Sequence, residues 1–308
     1  MILITMTVGN GNTLETPQSL AKKATSPAHH VRLLSRHNLV NDTSGLGLAP
    51  NYLQANLLIL PAKYASDFHD LCLRNPVPCP LLAKTLPGNP HKLVPVTMPA
   101  LPDGSHKDFD IRTDFPAYRV YRHGRHIDTV RDLRPLWTDE HVGFLIGCSY
   151  SFEDALVNAG LPPRHHVTGS KPVAMYRTSI PVLPAGIFTD ATFIVSMRPY
   201  PSNKVEAVRS ITSPYLATHG EPVAWGWDAL SKLGIRDIDA PDLGARQEFH
   251  DGDVPVFWVF PPRVVFPPPF LLTTRPRLVE LPLRLLRSRP VIKSRKDWFS
   301  PTSREICL

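Results

Sequence analysis

The sequence predicts a protein of mixed α/β or α+β class. Three observations carry this. Strand-like and helix-like patterns intermix along the 308 residues, Gly and Pro clusters separate them, and neither an internal repeat nor a coiled-coil heptad is present. Residues 1–30 are polar and rich in Pro, Ser and Thr, the composition of a disordered extension. A helix is predicted from Pro61 to Arg74. Pro61 suits a first turn, and Tyr64, Phe68, Leu71 and Cys72 recur at helical spacing. Asn75-Pro76 ends it, and alternating prolines to Pro80 make a stiff connector. Residues 87–108 form a Gly/Pro-rich loop. Ala117 to Tyr121 alternates as a strand, His123-Gly124 offers a turn, and Arg125 to Val130 can pair back. Thr138-Asp139 is placed to cap a short apolar segment that ends at Gly147. Ser151-Phe152-Glu153-Asp154 has the form of a capping box for a helix through Ala159, which Gly160 and Pro162 stop. Thr192 to Met197 is a buried strand. Ser202 to Ile211 is a helix with Val205, Val208 and Ile211 on one face. Asp228 to Leu233 is another, closed by Gly234, and Val254 to Val259 is a strand.

Composition narrows the class of protein. Apolar residues make up 43%, enough for a core at this length. No run of 18 apolar residues occurs, so no membrane span is expected, and the N-terminus lacks the basic and apolar regions of a secretory signal. The four cysteines (Cys72, Cys79, Cys148, Cys307) are too few and scattered for a disulfide framework. These features predict an intracellular protein, cytoplasmic or mitochondrial and not secreted. Cys72 and Cys79 lack metal-ligand spacing and are expected to be structural. His165-His166, like His123 and His126, are expected on the surface or in loops. No metal site and no cofactor is predicted. Walker, G-x-G-x-x-G and G-x-S-x-G motifs are absent.

The net charge of +7 is confined to one end. Of 34 basic and 27 acidic residues, ten and three lie in 260–308, leaving 24 of each in the body. The body therefore offers no electrostatic case for a nucleic-acid partner; such binding would depend wholly on the tail. That tail has nine prolines in 49 residues, including Pro267-Pro268-Pro269, and predicts polyproline II or disorder rather than central strands.

The densest chemistry lies in Gly147-Cys148-Ser149-Tyr150-Ser151-Phe152-Glu153: a thiol, three hydroxyls and a carboxylate just before a helix. Cys148 and Ser149 would sit beside the positive end of its dipole, among free N–H groups. A buried structural Cys next to an ordinary cap fits the same pattern.

This segment resembles the GCSFSFE signature of the hydro-lyase family that includes D-glutamate cyclase. Further stretches agree in the same order: Tyr52-x-Gln54-Ala55-Asn56-Leu57, Asn75-Pro76-x-Pro78-Cys79-Pro80, Asp110-x-Arg112-Thr113-Asp114-x-Pro116, Met175-Tyr176-Arg177-Thr178, Ser196-Met197-Arg198-Pro199, His219-Gly220-x-Pro222 and Pro255-Val256-Phe257-Trp258. The resemblance covers about residues 30–259. It departs at Val259-Phe260-Pro261-Pro262, where a divergent terminus or a misread gene model would each explain the tail. It departs also at Ala224-Trp225-Gly226-Trp227-Asp228, where the family often shows a second histidine. The family implies a three-layer α/β domain (31–115 with 215–259) and a smaller two-layer α+β domain (116–214).

The activity implied is loss of water from D-glutamate to give 5-oxo-D-proline. Its needs are a neutral amine, an activated γ-carboxyl, an anchored α-carboxylate and donors for an oxyanion. Arg112, Arg177 and Arg198 are candidate carboxylate clamps, with structural ion pairing as the other reading of each. Glu153 and Asp114 are candidate acid/base groups if burial raises a pKa. Tyr176 and His219 are further catalytic candidates. Ser149 and Ser151 could donate to an oxyanion, and Cys148 could act as a nucleophile. The expected partner is a small amino dicarboxylate, with no nucleic acid and no membrane; a homo-oligomer stays open. The alternative is a catalytically inactive binding or regulatory homologue with an altered C-terminus.

Overall fold

The computed structural model describes residues 15–40, 49, 51–97, 108–168 and 172–260, together with the backbone of 270–274 and 277–282. Helices and strands intermix, as the sequence predicts, and every strand pairing among the described residues is antiparallel. The larger sheet is built on β1 (Tyr52–Pro61), β2 (Leu81–Thr85), β3 (Leu93–Pro95), β4 (Tyr118–Arg122), β5 (Arg125–Val130) and β6 (His141–Gly147). The smaller sheet contains β7 (Ala174–Pro181), β8 (Thr192–Pro201), β9 (Ala224–Trp225) and β10 (Asp253–Phe260), in the order β7-β8-β10-β9. Residues 116–214 thus contribute strands to both sheets. The last strands, β11 (Phe270–Thr274) and β12 (Arg277–Pro282), return to the larger sheet. β11 lies between β1 and β4, and β12 pairs with the first half of β1. This corrects the sequence expectation for the tail. Both strands are short, and Pro282 ends the second, so the ladder meets few prolines.

Residues 15–30 also differ from expectation. Helix α1 (Pro17–Lys23) and helix α2 (Pro27–Arg36) each start with Pro in the first turn, after caps at Thr16 and Ser26 whose hydroxyls accept backbone N–H groups. From α2, Arg32 and Arg36 reach the buried Asp114. That contact ties the N-terminal helices to the 108–114 segment. Residues 1–14 and Cys307 lie outside the described residues.

Several predicted elements are present. The helix after Pro61 is a 3-10 turn followed by α3 (Ala65–Arg74), with Phe68, Leu71 and Cys72 buried. His123 (φ 51°) and Gly124 (φ 73°) both take left-handed backbone at the β4–β5 turn, the geometry of a two-residue hairpin loop. The segment opened by Thr138 is strand rather than helix. Its alternate residues serve two cores: Val142, Phe144 and Ile146 pack with α3, whereas Leu145 packs with Leu53, Ala55, Leu57 and Ile59 of β1. Cys72 and Cys79 belong to the first of these cores, as expected of structural thiols.

The smaller sheet is covered on one face by α4 (Glu153–Asn158) and α6 (Val205–Thr212), where Phe152, Leu156, Val205 and Val208 bury Val256 and Trp258. Full burial of each such side chain is worth about 1.5–3 kcal/mol. Helix α5 (Arg164–Val167) follows Pro163. Helix α7 (Ala229–Leu233) ends at Gly234, φ 73°, and packs on the opposite face.

β6 ends where the chain is most crowded. A Cβ at Gly147 would stand 1.9 Å from the Ala217 carbonyl oxygen. Gly147→Ala is therefore expected to cost about 1–3 kcal/mol in a urea or thermal melt, since backbone cannot rotate aside as a side chain can. Unchanged stability would show that the 217 carbonyl has room to retreat.

Candidate active site

The turn after β6 is stitched to β1. The Cys148 N–H donates to the Gln54 carbonyl at 2.9 Å, and the Asn51 N–H donates to Asp154. Ser151 does not cap the helix. Its Oγ accepts the Gln54 N–H at 2.8 Å and donates to the Gln54 carbonyl at 3.3 Å. A 3-10 turn over Ser149–Phe152 runs into α4 and delivers Glu153 to the interior.

Glu153 meets Arg198, carried inward by β8. Arg198 has no exposed surface. Its Nε donates to Glu153 Oε1 at 2.8 Å and Nη2 donates to the same oxygen. Nη2 also donates to Ser149 Oγ at 3.0 Å and Nη1 to Ser196 Oγ at 3.1 Å. The guanidinium lies 5.1 Å from the Trp258 ring centroid and 5.4 Å from that of Phe152. The second Glu153 oxygen, Oε2, receives two imidazoles: His165 Nε2 at 2.9 Å and His166 Nε2 at 2.7 Å. These histidines correct the sequence expectation. They start a short helix whose Arg164 is fixed to Asp253 at the head of β10, and His165 is fully buried. His166, 18% exposed, is the edge of the cluster that solvent reaches. His123 and His126 are exposed, as expected.

Burial alone would raise the Glu153 pKa. The charge of Arg198, then His165, outweighs it and holds the carboxyl well below its usual range. The ionised carboxylate accepts only, so Nε2 of each neighbouring ring carries the hydrogen. At Cys148 burial wins: the thiol is pushed up to about 12 despite the Tyr150 backbone, Arg198 and the Asn56 amide. Cys148 is therefore a neutral thiol near pH 7.

The structure thus brings together four sequence candidates: Cys148, Ser149, Glu153 and Arg198. Ser151 is beside them, fastened to Gln54. The others are engaged elsewhere. Arg112 forms a two-pronged pair with Asp110. Asp114 is raised by burial, against the pull of Arg36 and Arg32, and holds α2. Arg177 is exposed and pairs with Asp242. The Tyr176 hydroxyl donates to the Ile238 carbonyl at 2.6 Å. His219, buried with φ 82°, places Nδ1 3.0 Å from the Val77 carbonyl. His165, His166 and Ser196 had not been singled out from sequence. Ser196 stands in the Ser196-x-Arg198 motif, which marked it. Adjacent histidines diverge on a helix, and the convergence of two rings on one carboxylate is a tertiary property.

The D-glutamate cyclase family model matches residues 142–264, the segment holding this cluster. A protein of Schizosaccharomyces pombe named "Putative hydro-lyase" is 45% identical over 240 residues, covering 78% of this chain and 76% of its own. One of Bordetella petrii, also named "Putative hydro-lyase", is 45% identical over 269 residues, 85% and 93% of the two chains. The chain belongs to the hydro-lyase family that includes D-glutamate cyclase. "Putative hydro-lyase YcsI" of Bacillus subtilis is 43% identical over 228 residues, 74% of this chain and 83% of the relative. By family the protein is a carbon–oxygen lyase. Among the described residues, no helix of this hydro-lyase is long and apolar enough to cross a membrane.

Glu153→Gln leaves the buried Arg198 without a counter-charge, a change worth about 3–5 kcal/mol at neutral pH. The sign with pH follows from the depressed pKa. The stabilisation is complete above the ordinary value of 4.5 and is lost as pH falls through the folded pKa. Urea melts across pH should therefore show the deficit of the variant narrowing in acid. A deficit independent of pH would mean the ion pair does not carry it.

Proposed function

We propose that this cluster converts D-glutamate to 5-oxo-D-proline with loss of water. The observation that carries the reading is a buried carboxylate saturated by one guanidinium and two imidazoles, within the segment that the D-glutamate cyclase model matches.

The reaction joins an ammonium to a carboxylate. Two of the three ammonium protons must leave with one carboxyl oxygen as water. His166 is suited to carry them, because Glu153 fixes the hydrogen on Nε2 and so leaves Nδ1 as the lone pair of the neutral ring. In this reading Nδ1 takes a proton from the ammonium, and the free amine attacks the γ-carboxyl carbon. The Ser149 hydroxyl and the Arg198 guanidinium receive the oxyanion. The protons then pass to the departing oxygen, the C–O bond breaks and the lactam remains. A neutral, buried Cys148 favours direct attack by the amine over a thioester. The apolar packing of Phe152 and Trp258 around Arg198 keeps the site poor in water, which favours dehydration.

The test is incubation of purified protein with D-glutamate, L-glutamate and each 5-oxoproline, read by mass. Loss of one water from D-glutamate is expected. His166→Gln should lower kcat/KM by about 10²–10⁴ with an unchanged melt, whereas Cys148→Ser and Arg112→Ala should stay near wild type. Folded wild-type protein that converts neither glutamate, or a fully active His166→Gln, would sink the proposal.

A further inference from the structure

We infer that Glu153, His165 and His166 form a binding site for one divalent first-row transition-metal ion. The three ligand atoms, Glu153 Oε2 and the two Nε2 atoms, lie within 4.8 Å of one another. Two nitrogens and one carboxylate oxygen are a donor set that suits Zn²⁺, Co²⁺, Mn²⁺ or Fe²⁺, and three protein ligands leave positions open for a further molecule.

The surroundings fit a cation. Arg198 engages Oε1, so Glu153 is oriented with Oε2 alone turned to the imidazoles. Carboxylates that bind metals are commonly steadied this way through their other oxygen. The atoms are slightly too close for an ion as they stand. Ligands about 2.1 Å from a metal sit roughly 3 Å or more apart, whereas the observed nitrogen–oxygen contacts are 2.9 and 2.7 Å. Opening by under about 1 Å, within reach of small side-chain torsions, admits the ion.

Proton and metal are alternative occupants. In the arrangement described, two imidazole hydrogens face Oε2; a metal takes their place and moves the hydrogens to the Nδ1 atoms. Glu153 and Arg198 cancel in charge, so a divalent ion leaves the cluster with two positive charges. A metal on Nε2 leaves His166 without the Nδ1 lone pair, so in the cyclase reading, on which this clause rests, the metal-free form is the active one.

The experiment uses the full chain, stripped with a chelator, and Zn²⁺, Co²⁺ and Mn²⁺ as probes without substrate. Calorimetry and metal analysis after desalting read binding, and the visible bands of bound Co²⁺ read the donor set. One equivalent is expected, with affinity at least about tenfold weaker in His165→Gln and in His166→Gln and unchanged in His123→Gln/His126→Gln. The partly buried His166 supplies a variant expected to fold even where the fully buried His165 does not. No binding, or binding that persists in both His165→Gln and His166→Gln, overturns the inference. Ion binding by protein that turns over no D-glutamate when metal-free would keep the metal site and discard the cyclase reading. Turnover by metal-free protein that binds no added ion would do the reverse.

Discussion

A guanidinium without solvent contact must be matched or the fold fails, and the Arg198–Glu153 pair is the constraint around which this molecule is arranged. The two partners come from different sheets: Arg198 from β8 of the smaller, Glu153 from the turn that leaves β6 of the larger. Desolvating both charges is costly, and Coulomb attraction alone seldom restores the loss. The remaining hydrogen bonds decide the outcome. Ser149 and Ser196 take two further guanidinium donors, and two imidazoles satisfy the second carboxylate oxygen. Each partner therefore prescribes where another element must lie, down to Arg164 on Asp253, which holds the helix that presents the histidines.

The same network divides the tasks of the proposed reaction among its members. A carboxylate held ionised by its neighbours can orient imidazoles but is a poor proton donor itself. In the proposed reaction, proton traffic falls to the group at the solvent edge, His166, while Glu153 acts through it. The proposed ring closure would need proton transfer and oxyanion support in a place with little water.

Much of the fold was legible because it depends on local chemistry. Left-handed His123 and Gly124, the proline before α3 and Gly234 after α7 act within a few residues of themselves. Strand β6 was placed but not typed, since an apolar run buried on both faces has no alternation to reveal it. The motif around Cys148 lies in the candidate site, and Arg198 was among the residues chosen. Choosing between three arginines was beyond the sequence, because what sets Arg198 apart is its complete burial and a distant partner, Glu153, whereas Arg112 pairs with Asp110 two residues away and the exposed Arg177 with Asp242. His165 and His166 were misplaced for the same reason. Nothing in two adjacent histidines announces a carboxylate twelve residues back.

The position of β11 has a consequence for synthesis. A strand that follows Phe260 lies between β1 and β4, so the hydrogen-bonding edges of two early strands stay open until residues 270–274 have been made. Closing the larger sheet joins segments some two hundred residues apart, a slow and entropically demanding step. While the chain is still on the ribosome, β1 has β6 on one side and no neighbour on the other. The nascent protein thus passes through a stage with an unsatisfied sheet edge, the moment at which a folding helper is most useful and self-association most dangerous.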